Sequence, residues 1–278
     1  MTAAPCPPCT QPAVAEWHLP AGWRTLDFIS DLHLQASEPD TVQALQRYLA
    51  ATNADGVFIL GDLFEVWVGD DALQEPGSFE AACAAMLREA ASRRPLFFMQ
   101  GNRDFLTGAE FDAQCGTRTL ADPTVLDCGS QRLLLSHGDA LCLDDTDYQR
   151  FRAMARSQAW QTAFLAQPLE SRRAQARGIR QESESRKIAT HQGRAAMPAY
   201  ADLDADATRC WLQAGQAATL IHGHTHRPAE HALGDGMRRF VLSDWDLSAQ
   251  EPRAEVLRWQ RGQGMRRLPL AQVLAQRP

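Results

Sequence analysis

Five apolar stretches of this chain each run straight into residues with lone pairs to donate, and that repetition constrains the fold more than any other feature. The sharpest case is Val57-Phe58-Ile59-Leu60, followed at once by Gly61-Asp62. A short apolar run with a β-branched start and breakers on both sides reads as a buried strand. Gly61 lets the backbone turn where the strand stops, which presents Asp62 at its end. The same grammar recurs at Thr25 to Ser30, which delivers Asp31-Leu32-His33, and at Pro95 to Gln100, which delivers Gly101-Asn102-Arg103-Asp104. It recurs again at Arg132 to Ser136 before His137-Gly138-Asp139, and at Ala218 to Ile221 before His222-Gly223-His224-Thr225-His226.

Between these strands the period changes to that of helices. Pro39 opens one with Val42, Leu45 and Leu49 on one face, and a second from about Phe79 turns Cys83, Met86, Leu87 and Ala90 inward. A shorter one is expected near Ala109 to Cys115, then a strand at Thr124 to Asp127. Strands alternating with helices, with polar residues at the strand exits, describe a layered α/β enzyme. The runs Arg238 to Leu242, Ala254 to Trp259 and Met265 to Leu268 are expected as antiparallel strands closing a second sheet.

Two segments break the alternation. Residues 1–22 hold five prolines without periodicity and are expected as a loosely attached extension of a domain spanning 23–278. Cys6 and Cys9 there form a lone Cys-x-x-Cys with no second pair, so no zinc site is expected. From about 146 to 214 the strand signals vanish and bulky residues are isolated among Arg, Gln, Ala and Glu. This stretch reads either as a solvated helical pair or as a helical cap inserted into the main domain. Residues 146–200 carry ten Arg or Lys against four Asp or Glu, inside a chain whose formal charge is −6.

That overall charge argues against a general surface for nucleic acid. The cysteines, seven and scattered, several in apolar runs, read as buried thiols of a reducing compartment. No signal peptide is expected, and no apolar run approaches the roughly 20 residues of a bilayer span.

Asp31, His33, Asp62, Asn102, His137, His222 and His224 are the candidate metal ligands. Carboxylate, imidazole and amide oxygen suit a borderline divalent ion. A carboxylate between two ions can bridge them, and Asp62 is the natural bridge. Such a pair can bind both the attacking and leaving oxygens of a phosphoryl group.

The order Asp31-x-His33, Gly61-Asp62, Gly101-Asn102-x-Asp104, His137-Gly138, Gly223-His224-x-His226 resembles the calcineurin-like metallophosphoesterase superfamily. The resemblance implies a four-layer αββα sandwich with two mixed sheets and a dinuclear site at the strand ends. Arg103, where most of the superfamily has histidine, narrows the likeness. So do Leu63-Phe64-Glu65 and Arg227-Pro228, and the spelling is similar to the lipid A branch of the superfamily from about Asp27 to Trp245. Members of that branch use two Mn²⁺ ions and water to split the pyrophosphate of UDP-2,3-diacylglucosamine at the uridine-bearing phosphorus, at the cytoplasmic face of the inner membrane.

By this resemblance one ion is held by Asp31, His33, Asp62 and His224, and the other by Asp62, Asn102, His137 and His222. Arg103 is the implied catalytic residue, its fixed charge and forked donors suiting a phosphate. Asn102, Arg103, Asp145, Tyr148, Arg180, Ser183, Lys187, Thr190 and His222 are the implied substrate contacts. The cap would supply an apolar cleft for two acyl chains. Trp160, Phe164, Leu165 and Leu169, with Arg172, Arg173 and Arg177, would either pack the cap on the core or touch an anionic membrane, or both. A non-catalytic scaffold on this fold would be expected to have lost ligands, and none of the seven is missing.

Overall fold

The computed structural model describes residues 12–179 and 202–275. Twelve strands are placed in it: β1 (Ala15–His18), β2 (Thr25–Ile29), β3 (Gly56–Leu60), β4 (Leu96–Met99), β5 (Thr117–Leu120), β6 (Thr124–Asp127), β7 (Arg132–Leu135), β8 (Thr219–His222), β9 (Ala229–Gly234), β10 (Met237–Val241), β11 (Glu255–Gln260) and β12 (Gly264–Pro269). The helices are α1 (Pro39–Ala51), α2 (Phe79–Ala91), α3 (Ala109–Cys115), α4 (Thr146–Ala155), α5 (Gln158–Leu165), α6 (described over 169–179), α7 (Ala205–Ala214) and α8 (Leu270–Ala275).

The strands form two six-stranded mixed sheets, ordered β1-β6-β7-β8-β10-β9 and β12-β11-β2-β3-β4-β5. Side chains alternate across each strand, so each sheet has an inner and an outer face to bury. Phe28, Phe58, Phe97 and Met99 of one sheet meet Leu126, Leu133, Leu135 and Ile221 of the other, and the Phe58 and Phe97 rings stack at 4.5 Å. The opposite parity, Ile29, Val57, Ile59 and Phe98, packs under α1, α2 and α3. Val125, Leu134 and Leu220 pack under α7. The result is the expected αββα sandwich.

Three expectations change. The extension gives way from Ala15 to an edge strand, parallel to β6, because Trp17 has a place to bury: its ring sits 4.7 Å from that of Phe97. The late strands divide between the sheets. β10 runs parallel to β8 in one, while β11 and β12 extend the other beside β2. Cys83, Cys115, Cys128 and Cys142 are buried free thiols as expected, but Cys210 is disulfide-bonded.

β2, β3 and β4 run parallel, as do β7 and β8. Their carboxyl ends therefore gather at one rim, where open α/β sheets place their ligands. α4, α5 and α6 are inserted between β7 and α7.

Candidate metal centre

Every strand of that rim ends in an irregular turn. Asp31, His33, Asp62, His224 and His226 all have positive φ, five of the seven non-glycine residues that do so among the described residues. L-residues adopt that region reluctantly, and such conformations persist where the surroundings over-determine them. Two glycines permit the approach. A Cβ on Gly101 would collide with the Asp62 carboxylate and backbone nitrogen, and one on Gly223 would collide with the Asp31 carboxylate.

The turns bring donor atoms of Asp31, Asp62 and His137 within 4.8 Å of one another, and likewise those of Asp31, His33 and His226. Asn102 Oδ1 joins from the side, 3.0 Å from His137 Nε2 and 2.9 Å from His224 Nδ1. His33 Nε2 lies 3.3 Å from His226 Nε2 and 3.9 Å from Asp62 Oδ2.

The outer partners aim these groups. His137 Nδ1 faces the Leu60 carbonyl at 2.9 Å, so the proton sits there and Nε2 is turned inward. His33 Nδ1 faces Glu65 Oε2 at 2.8 Å, whereas Asp244 Oδ2, 3.8 Å from His226 Nδ1, accepts from Arg253 instead. Carboxylate-backed imidazoles are the usual way to fix a metal-ligating tautomer. The Asp31 carboxylate accepts from Ser30 Oγ at 2.5 Å and from the His224 N–H. Asp104, fully buried, accepts from the Gly101 N–H at 2.7 Å and the Leu63 N–H at 2.7 Å, which braces the Asn102 turn against the Asp62 turn.

This geometry tests whether a cation fits. His137 Nε2, with its proton committed to Nδ1, offers a lone pair toward Asn102 Oδ1 and toward Asp62 Oδ1 at 3.7 Å, both acceptors. Acceptors converging in this way need a proton or a metal ion between them. In the protein alone the ring takes the proton: burial works against the charge, but Asp62, Asp139 and Asp31 outweigh it and push His137 up to about 9. Burial, then Asp62, pushes Asp104 up to about 7. Burial, then His137, pushes His224 down to about 4, leaving a neutral ring able to ligate. The donor set fits a pair of borderline divalent ions.

Of the expected ligands the structure gathers Asp31, His33, Asp62, Asn102, His137 and His224, but not His222. Leu220 packs outward under α7 and Ile221 inward, so His222 follows Leu220 outward by strand parity. Its Nδ1 faces the Gly223 carbonyl at 2.9 Å, and burial pushes it down to about 3. Its place is taken one step along: His224 joins Asn102 and His137, and His226 joins Asp31 and His33. The missed residue was legible in the spacing Gly223-His224-x-His226. Glu65 and Asp104 were missed as supports, and only their proximity in the fold reveals them.

Arg103 donates its backbone N–H to Asp62 Oδ1 at 2.8 Å, and its guanidinium lies 3.5 Å from Glu65 Oε1. Beside it an apolar cleft is lined by Val66, Val68, Phe105, Phe151, Trp160 and Phe164, and Asn102 and Arg103 line it too. Trp160 and Phe164 stack at 4.7 Å within it. Packing therefore accounts for most of the aromatic residues of the cap. Arg172 is buried against Asp71 and the Val68 carbonyl, and Arg173 pairs with Glu75, so neither is available to a membrane. Asp145 is the exposed N-cap of α4, accepting from the Tyr148 N–H. Tyr148 itself lies with its ring 6.0 Å from that of His224. Arg180, Ser183, Lys187 and Thr190 lie outside the described residues.

Comparison with known proteins agrees with this geometry. Residues 24–228 match the calcineurin-like phosphoesterase family. A Chromobacterium violaceum protein named UDP-2,3-diacylglucosamine hydrolase is 48% identical over 79% of this chain and 90% of its own length. Proteins of the same name from Stenotrophomonas maltophilia and Aromatoleum aromaticum are 42% and 43% identical, covering 78% and 84% of this chain and 90% and 91% of theirs.

Proposed function

The chain belongs to the calcineurin-like phosphoesterase family, and from that premise we propose that it hydrolyses the pyrophosphate bond of UDP-2,3-diacylglucosamine. The products are UMP and 2,3-diacylglucosamine 1-phosphate, an intermediate of lipid A synthesis. One observation carries the reading: the donor cluster opens onto an apolar cleft, and Asn102 and Arg103 face both. A phosphoryl centre joined to acyl chains needs that juxtaposition. The name shared by relatives at 42–48% identity supports the same substrate.

Asp31, His33, Asp62 and His226 would hold one ion, and Asp62, Asn102, His137 and His224 the other, with Asp62 between them. Two divalent cations, Mn²⁺ in this proposal, supply Lewis acidity that lowers the pKa of water and neutralises phosphoryl oxygens. The chain's own residues do the rest. Glu65 steadies both His33 and Arg103. Arg103 places its fork on the phosphoryl oxygens, where negative charge grows as water oxygen bonds to the uridine-bearing phosphorus. The bond from that phosphorus to the bridging oxygen breaks, and this oxygen leaves with the sugar 1-phosphate. Tyr148, Asp145 and, outside the described residues, Arg180, Ser183, Lys187 and Thr190 would contact the polar head, while the cleft holds acyl chain and excludes water.

No helix among the described residues is long and apolar enough to cross a membrane. Leu143, Met154, Leu165 and Ile179, on or beside the inserted helices, are 41–49% exposed and support docking at the cytoplasmic face of the inner membrane, where the lipid substrate resides. Incubating the purified protein with Mn²⁺ and micellar UDP-2,3-diacylglucosamine tests the assignment, with UMP expected as a product on ion-exchange chromatography. Hydrolysis of simple phosphodiesters without any UMP from the lipid would overturn it.

A further inference from the structure

Asp139 follows His137-Gly138 on the turn leaving β7 and is wholly buried. It is neither an ion donor nor part of the cleft. Its Oδ2 instead accepts from the Tyr148 hydroxyl at 2.5 Å and from Arg152 Nε at 2.7 Å, with Arg156 Nη2 at 3.6 Å. Tyr148, Arg152 and Arg156 are spaced four apart, so they form one stripe along α4 and its C-terminal cap. Gln149 adds a hydrogen bond to the Asp139 carbonyl at 2.8 Å. At the far end of the helix Arg156 donates to the Gly101 carbonyl at 2.9 Å, one residue before Asn102. The first inserted helix is thus pinned to the two turns that deliver His137 and Asn102. Through Tyr148, whose ring lies at 29° to that of His224, it also reaches a third.

Two guanidinium groups and a phenol on one buried carboxylate are an inefficient way to hold a helix if stability alone is at stake. Apolar side chains of similar volume do that as well or better. Buried ionic contacts are best attested where they fix one register among several. We propose that Asp139 is a positioning residue for the hydrolysis: it fixes the register of α4 over the donor cluster, so that Tyr148 stands beside His224 where the head of the substrate must lie. The inference rests on the proposed function for the identity of the substrate, but the register itself does not depend on it.

The test uses the full chain loaded with Mn²⁺ and the near-isosteric variant Asp139→Asn, read in two ways. Hydrogen exchange is expected to quicken by about tenfold or more across 146–155 while β7 and β8 keep their protection. KM for UDP-2,3-diacylglucosamine is expected to rise about tenfold, while turnover of bis(p-nitrophenyl) phosphate, which lacks sugar and acyl chains, stays within about twofold. Unchanged exchange and unchanged KM would overturn the proposal. So would equal losses on both substrates with reduced bound Mn²⁺, which would place the role of Asp139 at the ions. Should Asp139→Asn not fold, Arg152→Met leaves Tyr148 on the carboxylate and is expected to raise KM about threefold; a folded Arg152→Met protein with wild-type KM and wild-type exchange overturns the idea equally. If the wild type leaves the diacylated substrate untouched, the functional reading fails alone, and the exchange data still decide the register.

Discussion

At the scale of single residues, the question the sequence left open is which histidines hold the ions. Strand parity turns His222 away, while positive φ at His224 and His226 coils the chain back toward the donors. His226→Ala is therefore expected to lose about one of two bound Mn²⁺ ions, His222→Ala to keep both, and Asp62→Ala to weaken both, as measured by metal analysis after dialysis. Full retention by His226→Ala with loss in His222→Ala would restore the pairing expected from sequence. Arg103→Ala is expected to keep its ions and lower kcat by about 10²–10³-fold, the usual cost of removing one donor from a developing oxyanion; unaltered turnover would remove Arg103 from the mechanism. Six of the seven candidate ligands come together in one cluster, because metal chemistry dictates residue type and the strand grammar dictates place. His222 stands apart from that cluster because residue type alone does not carry strand parity through the turn. Glu65 was not legible in that role, since a carboxylate backing an imidazole from another loop leaves no local pattern.

At the scale of elements, what was legible follows how strongly each one alternates. β3 and β4 are continuous apolar runs, β2 and β8 are nearly so, and all four were read as strands. β1, β5 and β9 are edge strands with few bulky apolar residues, so their sequences resemble loops. One buried polar knot was invisible for another reason, its span. Asp27 on β2 takes Arg258 Nε on β11 at 2.7 Å, Tyr48 on α1 at 3.0 Å and Thr52 at 2.6 Å. These partners are up to 231 positions away in sequence. Because Asp27→Ala removes the buried carboxylate paired with Arg258, it is expected to cost about 3–5 kcal/mol in urea unfolding; a loss under about 1 kcal/mol would mean that solvent reaches the pair. The return from the inserted helices is tied differently, by Asp202 to Arg239 on β10 at 2.8 Å. The hydrogen bond to Arg239, against burial, holds Asp202 at about 2, below its ordinary 3.8. A depressed carboxyl contributes stability above its unfolded pKa and loses it as pH falls through the folded value. Asp202→Asn should therefore flatten the melting temperature between about pH 4 and pH 2 relative to wild type, leaving the remaining acid sensitivity intact.

At the scale of the whole molecule, the sandwich and the inserted helices divide the work. The sandwich gathers donors at one rim and would do so for many phosphoesters. The insertion completes the apolar cleft with Phe151, Trp160 and Phe164 over the loops that follow β3 and β4, and it leaves Met154 and Leu165 exposed. The structure narrows the membrane question: Trp160 and Phe164 are committed to the cleft, and Arg172 and Arg173 are paired with the core, so the contact cannot rest on them. Among the described residues expected at that contact, Leu165 and Arg177 are exposed, and Leu143, Met154 and Ile179 add half-exposed aliphatic area. Burying a Leu or Met side chain contributes about 1.5–3 kcal/mol when complete, and these are about half exposed already. The double substitution Met154→Glu, Leu165→Glu is therefore expected to lower co-sedimentation with phosphatidylglycerol vesicles about tenfold or more, the added charges opposing the anionic surface as well. Because neither residue belongs to the donor cluster, bound Mn²⁺ is expected to stay the same. Co-sedimentation unaffected by the two glutamates would exclude this face from the membrane and leave its exposed aliphatic residues without a partner.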